Sequence, residues 1–133
     1  MNLALFLFVG GILHFGILLA SAAAPQVLDW RNALQKLDRL SQQVIWVHGA
    51  FIVLTIVGFG ALSICFPSEL ASHTILARAV CGFIALFWAA RLAVQFFVFD
   101  AKPYLTRPML RLGYHGLTLV FIYHAVVYGA AAL

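Results

Sequence analysis

Charge is what this sequence has least of. Its 133 residues include four acidic and eight basic side chains, 9% in all, where a soluble domain carries about 25%. The acids, Asp29, Asp38, Glu69 and Asp100, all lie between long apolar runs and none lies inside one. That excludes paired-carboxylate chemistry within the runs, and no Ser-His-Asp set, phosphate loop or HExxH pattern is present. Cysteine is almost as scarce. Cys65 and Cys81 fit no CxxC or zinc spacing; the two can be joined by a disulfide or stay free, and because their depths differ two buried free thiols are the preferred reading. Internal repeats are missing as well. The net charge of +4 does not point to nucleic acid, because the basic residues collect in two short connections where they have a topological meaning.

What remains is apolar. Hydrophobic residues make up 65% of the chain and the mean hydropathy is +1.04, so an integral membrane protein of one domain, residues 1–133, is expected. Residues 44–66 run for 23 positions without Asp, Glu, Lys or Arg, enough to cross a hydrocarbon core of about 30 Å as a helix. Three further runs, at about 2–24, 74–99 and 109–132, complete four spans. The first ends in Ser21-Ala22-Ala23-Ala24-Pro25, which looks superficially like a cleavage site. No Lys or Arg precedes the run, it is longer than a signal core, and Pro25 would follow the cut. It is therefore read as a retained span. Short connections favour an all-α, up-down-up-down four-helix bundle. The longest connection, 26–43, places Leu34, Leu37 and Leu40 at helical spacing beside Trp30. It reads as a short amphipathic helix at the interface, or equally as an extension of the second span. Asp100-Ala101-Lys102-Pro103 ends the third span.

Orientation follows from the basic residues. Arg31, Lys36, Arg39, Lys102, Arg107 and Arg111 lie in or beside the first and third connections, and the second offers Arg78 against Glu69. The positive-inside rule puts the first and third connections in the cytoplasm and both termini outside, in a bacterial-type inner membrane.

The polar residues within the runs carry whatever function the sequence shows. Ser41, His48 and Thr55 recur every seven residues, a weakly polar stripe on a greasy helix. His48 lies about four residues into the second run and His115 about six into the fourth, on the order of 6–9 Å below the same surface at the rise of a helix. Each is followed by a glycine, Gly49 and Gly116. Diagonal helices of a bundle can offer two imidazoles to one iron, so His48 and His115 are candidate axial ligands of haem b. In outline the chain is similar to small four-helix haem-binding membrane proteins, a likeness of architecture that carries no residue roles.

Arg91 lies about eight residues short of the end of the third run, on one face with Trp88 and Gln95. With no intramembrane acid to pair with, it can snorkel, bond helix-end carbonyls, or meet a haem propionate, a quinone oxygen or a lipid phosphate. His14 and His124 are the alternative metal ligands, and for both the preferred reading is a neutral ring bonded across helices. His115 and His124 are nine residues apart, half a turn out of phase, so only one can face the core. The haem reading requires His115.

Three functions are thus expected in turn. The first is a haem-b protein in electron transfer or quinol oxidation. The second is a non-catalytic small subunit packed within a larger membrane complex or a homo-oligomer. The third is a lipid- or anion-binding or transport protein using Arg91.

Overall fold

A computed structural model describes residues 2–100 and 102–133. Among them there are helices and no strands. Four helices are long and apolar enough to span a bilayer, and they form an integral membrane bundle.

The first span is α1 (Leu3–Ser21), continued by the short α2 (Ala24–Val27). Asn2 starts it by accepting the Leu5 N–H at 3.2 Å, which satisfies one of the donors a helix start leaves free. Next comes α3 (Trp30–Gln35), entered through Asp29 in the left-handed region at φ 53°, a conformation Asp tolerates better than most residues. The second span, α4 (Arg39–Cys65), is capped by Asp38, which accepts the Ser41 N–H at 3.2 Å and the Ser41 hydroxyl at 2.6 Å. Both readings of the long connection are realised in part. A short helix lies there, with Trp30 set edge-on to Trp46 at 5.5 Å, and α4 also begins five residues ahead of its apolar run because Asp38 supplies the cap.

A turn, α5 (Pro67–Leu70), leads to the third span, α6 (Ile75–Phe97), capped by Thr74 on the Ala77 N–H at 3.2 Å. The expected break after it is present at Phe99 and Asp100, and Ala101 lies outside the described residues. A short 3₁₀ turn at Lys102–Tyr104 precedes the fourth span, α7 (Pro108–Ala132). Proline in the first turn costs no hydrogen bond there. Arg78 donates to the Ala132 carbonyl at 2.9 Å, tying the start of α6 to the end of α7.

The bundle has two unlike ends. The terminal end carries the start of α1 and the end of α7. The basic end carries the connections before α4 and before α7. Burial is concentrated toward the terminal end. In α4 the buried residues are Ile56, Phe59, Gly60 and Ser63, and in α7 they are Phe121, His124, Tyr128 and Ala131. Nothing in the first 17 residues of α4, up to Thr55, is fully buried.

Glycine explains the close approach there. A Cβ on Gly11 would lie 2.9 Å from the Ser63 Cβ and 3.0 Å from the Gly60 carbonyl oxygen, and one on Gly60 would lie 3.2 Å from the Gly11 oxygen. Helices α1 and α4 therefore touch backbone to backbone. That is the usual device of membrane helices, which have no hydrophobic effect to press them together. Cys81 is buried, Cys65 is exposed, and both are free thiols. The expectation that both would be buried thus fails for Cys65, which sits at the last residue of α4, beyond its packed face.

Candidate functional site

One polar cluster sits inside the bundle, and all four spans contribute to it. On α1, His14 is fully buried one turn after Gly10, and its Nδ1 is 2.7 Å from the Gly10 carbonyl oxygen. On α6, the buried Trp88 donates its indole N–H to His14 Nε2 at 2.9 Å. Indole is a donor only, so His14 Nε2 must be the acceptor. The ring proton then sits on Nδ1 and is given to Gly10. Every polar atom of this imidazole is satisfied.

On α7, His124 packs against His14 with ring centroids 4.1 Å apart. Its Nδ1 faces the Val120 carbonyl at 2.8 Å and its Nε2 the Gly10 carbonyl at 2.9 Å. A neutral imidazole has one N–H to give. One tautomer ties His124 to its own helix and the other ties α7 to α1. One turn on, the Tyr128 hydroxyl lies 2.6 Å from the Ser63 hydroxyl of α4. Ser63 donates to the Phe59 carbonyl at 2.8 Å, so Tyr128 is the donor to Ser63. A Cβ on Gly10 would come within 2.9 Å of the Tyr128 oxygen, so that glycine is needed for the ring to enter. Phe121, Trp88 and His124 stack nearly parallel, 5.1 and 5.2 Å apart at 15° and 28°.

Toward the basic end the picture changes. Arg91 follows Trp88 by three residues and is half-buried, its guanidinium carbon 5.1 Å from the Phe99 ring centre and 5.2 Å from that of Phe121. Its Nη1 is buried and has no hydrogen-bond partner among the described residues. One turn further, Gln95 donates to the Thr118 hydroxyl, which donates to the Tyr114 carbonyl. The expected face of Trp88, Arg91 and Gln95 is therefore real: two of the three are buried and the third is half-buried between aromatic rings.

His48 and His115 are exposed on the outside of α4 and α7. His48 turns its Nδ1 to the Val44 carbonyl at 2.8 Å, and no described residue meets its Nε2. The half-turn offset between His115 and His124 holds, but its phase is the reverse of the expected one: His124 faces the core and His115 faces out. The physical reason is the stripe that His124 shares with Phe121, Tyr128 and Ala131, which packs on α6 and α1. Spacing of i, i+4 and i+7 from His124 was the sequence signal that fixes the phase. On α1, of the four residues Gly10, Gly11, His14 and Ser21 that helical spacing puts on one face, the first three are buried and Ser21, the last residue of the helix, is exposed.

A metal fits poorly in the buried cluster. The two imidazoles touch ring to ring, and their Nε2 atoms are engaged by Trp88 and by Gly10. Among the described residues no group of three or more His, Cys, Asp or Glu is placed to hold a metal ion. At the basic end a shallow cleft of about 440 Å³ lies between Gln26 and Val27 on one side and Tyr104, Thr106, Arg107 and Leu110 on the other.

No family model, no curated protein and no solved structure matches the chain.

Proposed function

We propose that this chain is a small, non-catalytic membrane subunit that works by packing the basic-end halves of α4 and α7 against a partner's helices. The observation that carries this reading is an exposed histidine beside an unused glycine on each of those helices. A Cβ on Gly49 or on Gly116 would meet nothing within 4 Å; the same holds for Gly113 beside them, and also for Gly58 and Gly16, which lie outside those two half-helices. Glycine inside a helix costs roughly 1 kcal/mol against alanine. Gly10, Gly11 and Gly60 offset that cost by letting helices of this chain touch; the open glycines have no such return within the chain. A helix from another subunit, or from a second copy, would supply it. It would also supply a partner for the outer nitrogen of His48, which hydrocarbon cannot do. In this reading both termini lie outside the cytoplasm and the six basic residues of the first and third connections lie inside it.

The same pairing of histidine and glycine is what the haem reading rests on, together with the matched depth of His48 and His115. A haem b held there would lie on the outer surface of the bundle, where a neighbouring subunit would have to cover it. One preparation tests both. The protein is extracted from its native membrane in a mild detergent, sized, and scanned for a reduced-minus-oxidised difference spectrum. A colourless assembly heavier than one 14.6 kDa chain is expected. A Soret band at one haem per chain, lost in His48→Ala and in His115→Ala, overturns the packing role in favour of electron transfer. A colourless monomer overturns both.

A further inference from the structure

We propose that Arg91 is the binding site for the anionic phosphate of a membrane phospholipid, held in the basic-end half of the bundle. Arginine stays charged at any physiological pH and carries five N–H donors. Here the guanidinium makes no hydrogen bond to any described residue, and its Nη1 is shut in beside Phe99 and Phe121. The two rings attract the charge but accept none of the hydrogen bonds in the way an oxygen does. Arg91 lies six residues before the end of α6, about 9 Å along the helix. An unpaired guanidinium at that depth in a bilayer is costly.

The protein offers no counter-charge. The four acids are Asp29, Asp38, Glu69 and Asp100, all outside the four spanning helices. Asp29, Asp38 and Asp100 share the basic end with six cations, and Glu69 lies at the other end. The nearest side-chain polar pair on the same face, Gln95 and Thr118, is closed on itself. The other guanidinium nitrogens have no partner among the described residues either and, unlike Nη1, are not buried, so they are open to oxygens that come from outside the chain and are at home in a bilayer. A phosphate on two acyl chains has that character. It presents several acceptor oxygens to a planar fork, and its chains can run from Arg91 toward the bilayer centre along the apolar surface of α6, where Phe83 and Leu86 are 59% and 66% exposed. The inference is independent of the packing role proposed above, since it concerns a different helix and a different kind of occupant.

The test is native mass spectrometry of the protein released from nanodiscs that mix phosphatidylglycerol with phosphatidylcholine. Wild type is expected to keep one phosphatidylglycerol at a ratio that saturates as its mole fraction rises. Retained lipid that merely tracks the bulk composition overturns the proposal, and this measurement needs no variant. Arg91→Gln is expected to lower the retained anionic lipid about tenfold or more, the scale of losing a charge-assisted hydrogen-bond pair. Arg91→Lys is expected to keep part of it, because the ammonium keeps the charge and loses the fork. Equal retention in wild type and Arg91→Gln overturns the site. Displacement by inorganic phosphate, or an Arg91-dependent quinone in place of the lipid, overturns the lipid as its source.

Discussion

His14 and His48 begin alike. Each turns its Nδ1 to the carbonyl four residues back, Gly10 at 2.7 Å and Val44 at 2.8 Å. They differ at Nε2. Trp88 of α6 reaches the first, and no described residue reaches the second. The contrast extends to the two halves of the bundle. In the terminal half, small residues let the helices touch, and each polar group finds a partner on another helix. In the basic half the early part of α4 packs against little, and Arg91, His48 and His115 are left with unmet polar atoms. Inside a membrane a polar side chain is stable where helices touch, and elsewhere it needs an outside partner.

The largest effect is expected where that contact is made. Gly60→Leu puts a side chain where a bare Cβ is already 2.7 Å from the Phe15 ring and 3.2 Å from the Gly11 oxygen. Such overpacking costs typically 1–3 kcal/mol and here separates α1 from α4. A steep loss of thermal stability in detergent, or loss of the folded form, checks it. Gly49→Leu, on the same helix in open space, should not lower the stability of the isolated chain and should raise it slightly through the better helix propensity of leucine. Equal effects at the two glycines would erase the distinction between the halves.

Next is Trp88→Phe. It keeps the ring stacked between Phe121 and His124 but removes the N–H that His14 Nε2 accepts. Leaving a buried acceptor unmet costs about 1–3 kcal/mol, which a thermal or denaturant midpoint will show. His48→Ala, which removes an exposed ring, should move the midpoint of the isolated chain little. The nitrogen chemical shifts of His14 sharpen the same point: a protonated Nδ1 and a bare Nε2 are expected, and the opposite tautomer would contradict the bond from Trp88.

Smallest is the cap of α4. The hydroxyl and backbone N–H of Ser41 hold the Asp38 carboxyl below its ordinary value. A depressed acid stabilises the fold above its unfolded pKa, and that contribution is lost as pH falls through the lower, folded value. Asp38→Asn should flatten this part of the acid limb of the unfolding curve with a small change near neutrality.

The sequence made the spans legible, because long apolar runs without an acidic residue and with at most two basic ones have one use at that length. It also gave the offset between His115 and His124, and the face of Trp88, Arg91 and Gln95. The phase of α7 was not read correctly. Depth and a neighbouring glycine say how far a side chain lies in the membrane, whereas facing depends on which stripe meets another helix. That stripe was set by Tyr128 and Ala131, whose partners lie on α1, α4 and α6. The bond from Trp88 to His14 joins residues 74 positions apart, and no local spacing announces it.

The central claim is that the basic-end faces of α4 and α7 meet protein while the outer face of α6 meets lipid. A photo-crosslinking side chain placed at Ile52, at Leu112 and at Leu86, exposed by 53%, 75% and 66%, tests it in the native membrane. The account predicts protein adducts from Ile52 and Leu112, beside the open glycines, and none from Leu86. Adducts from all three positions alike, or from none of them, would contradict it.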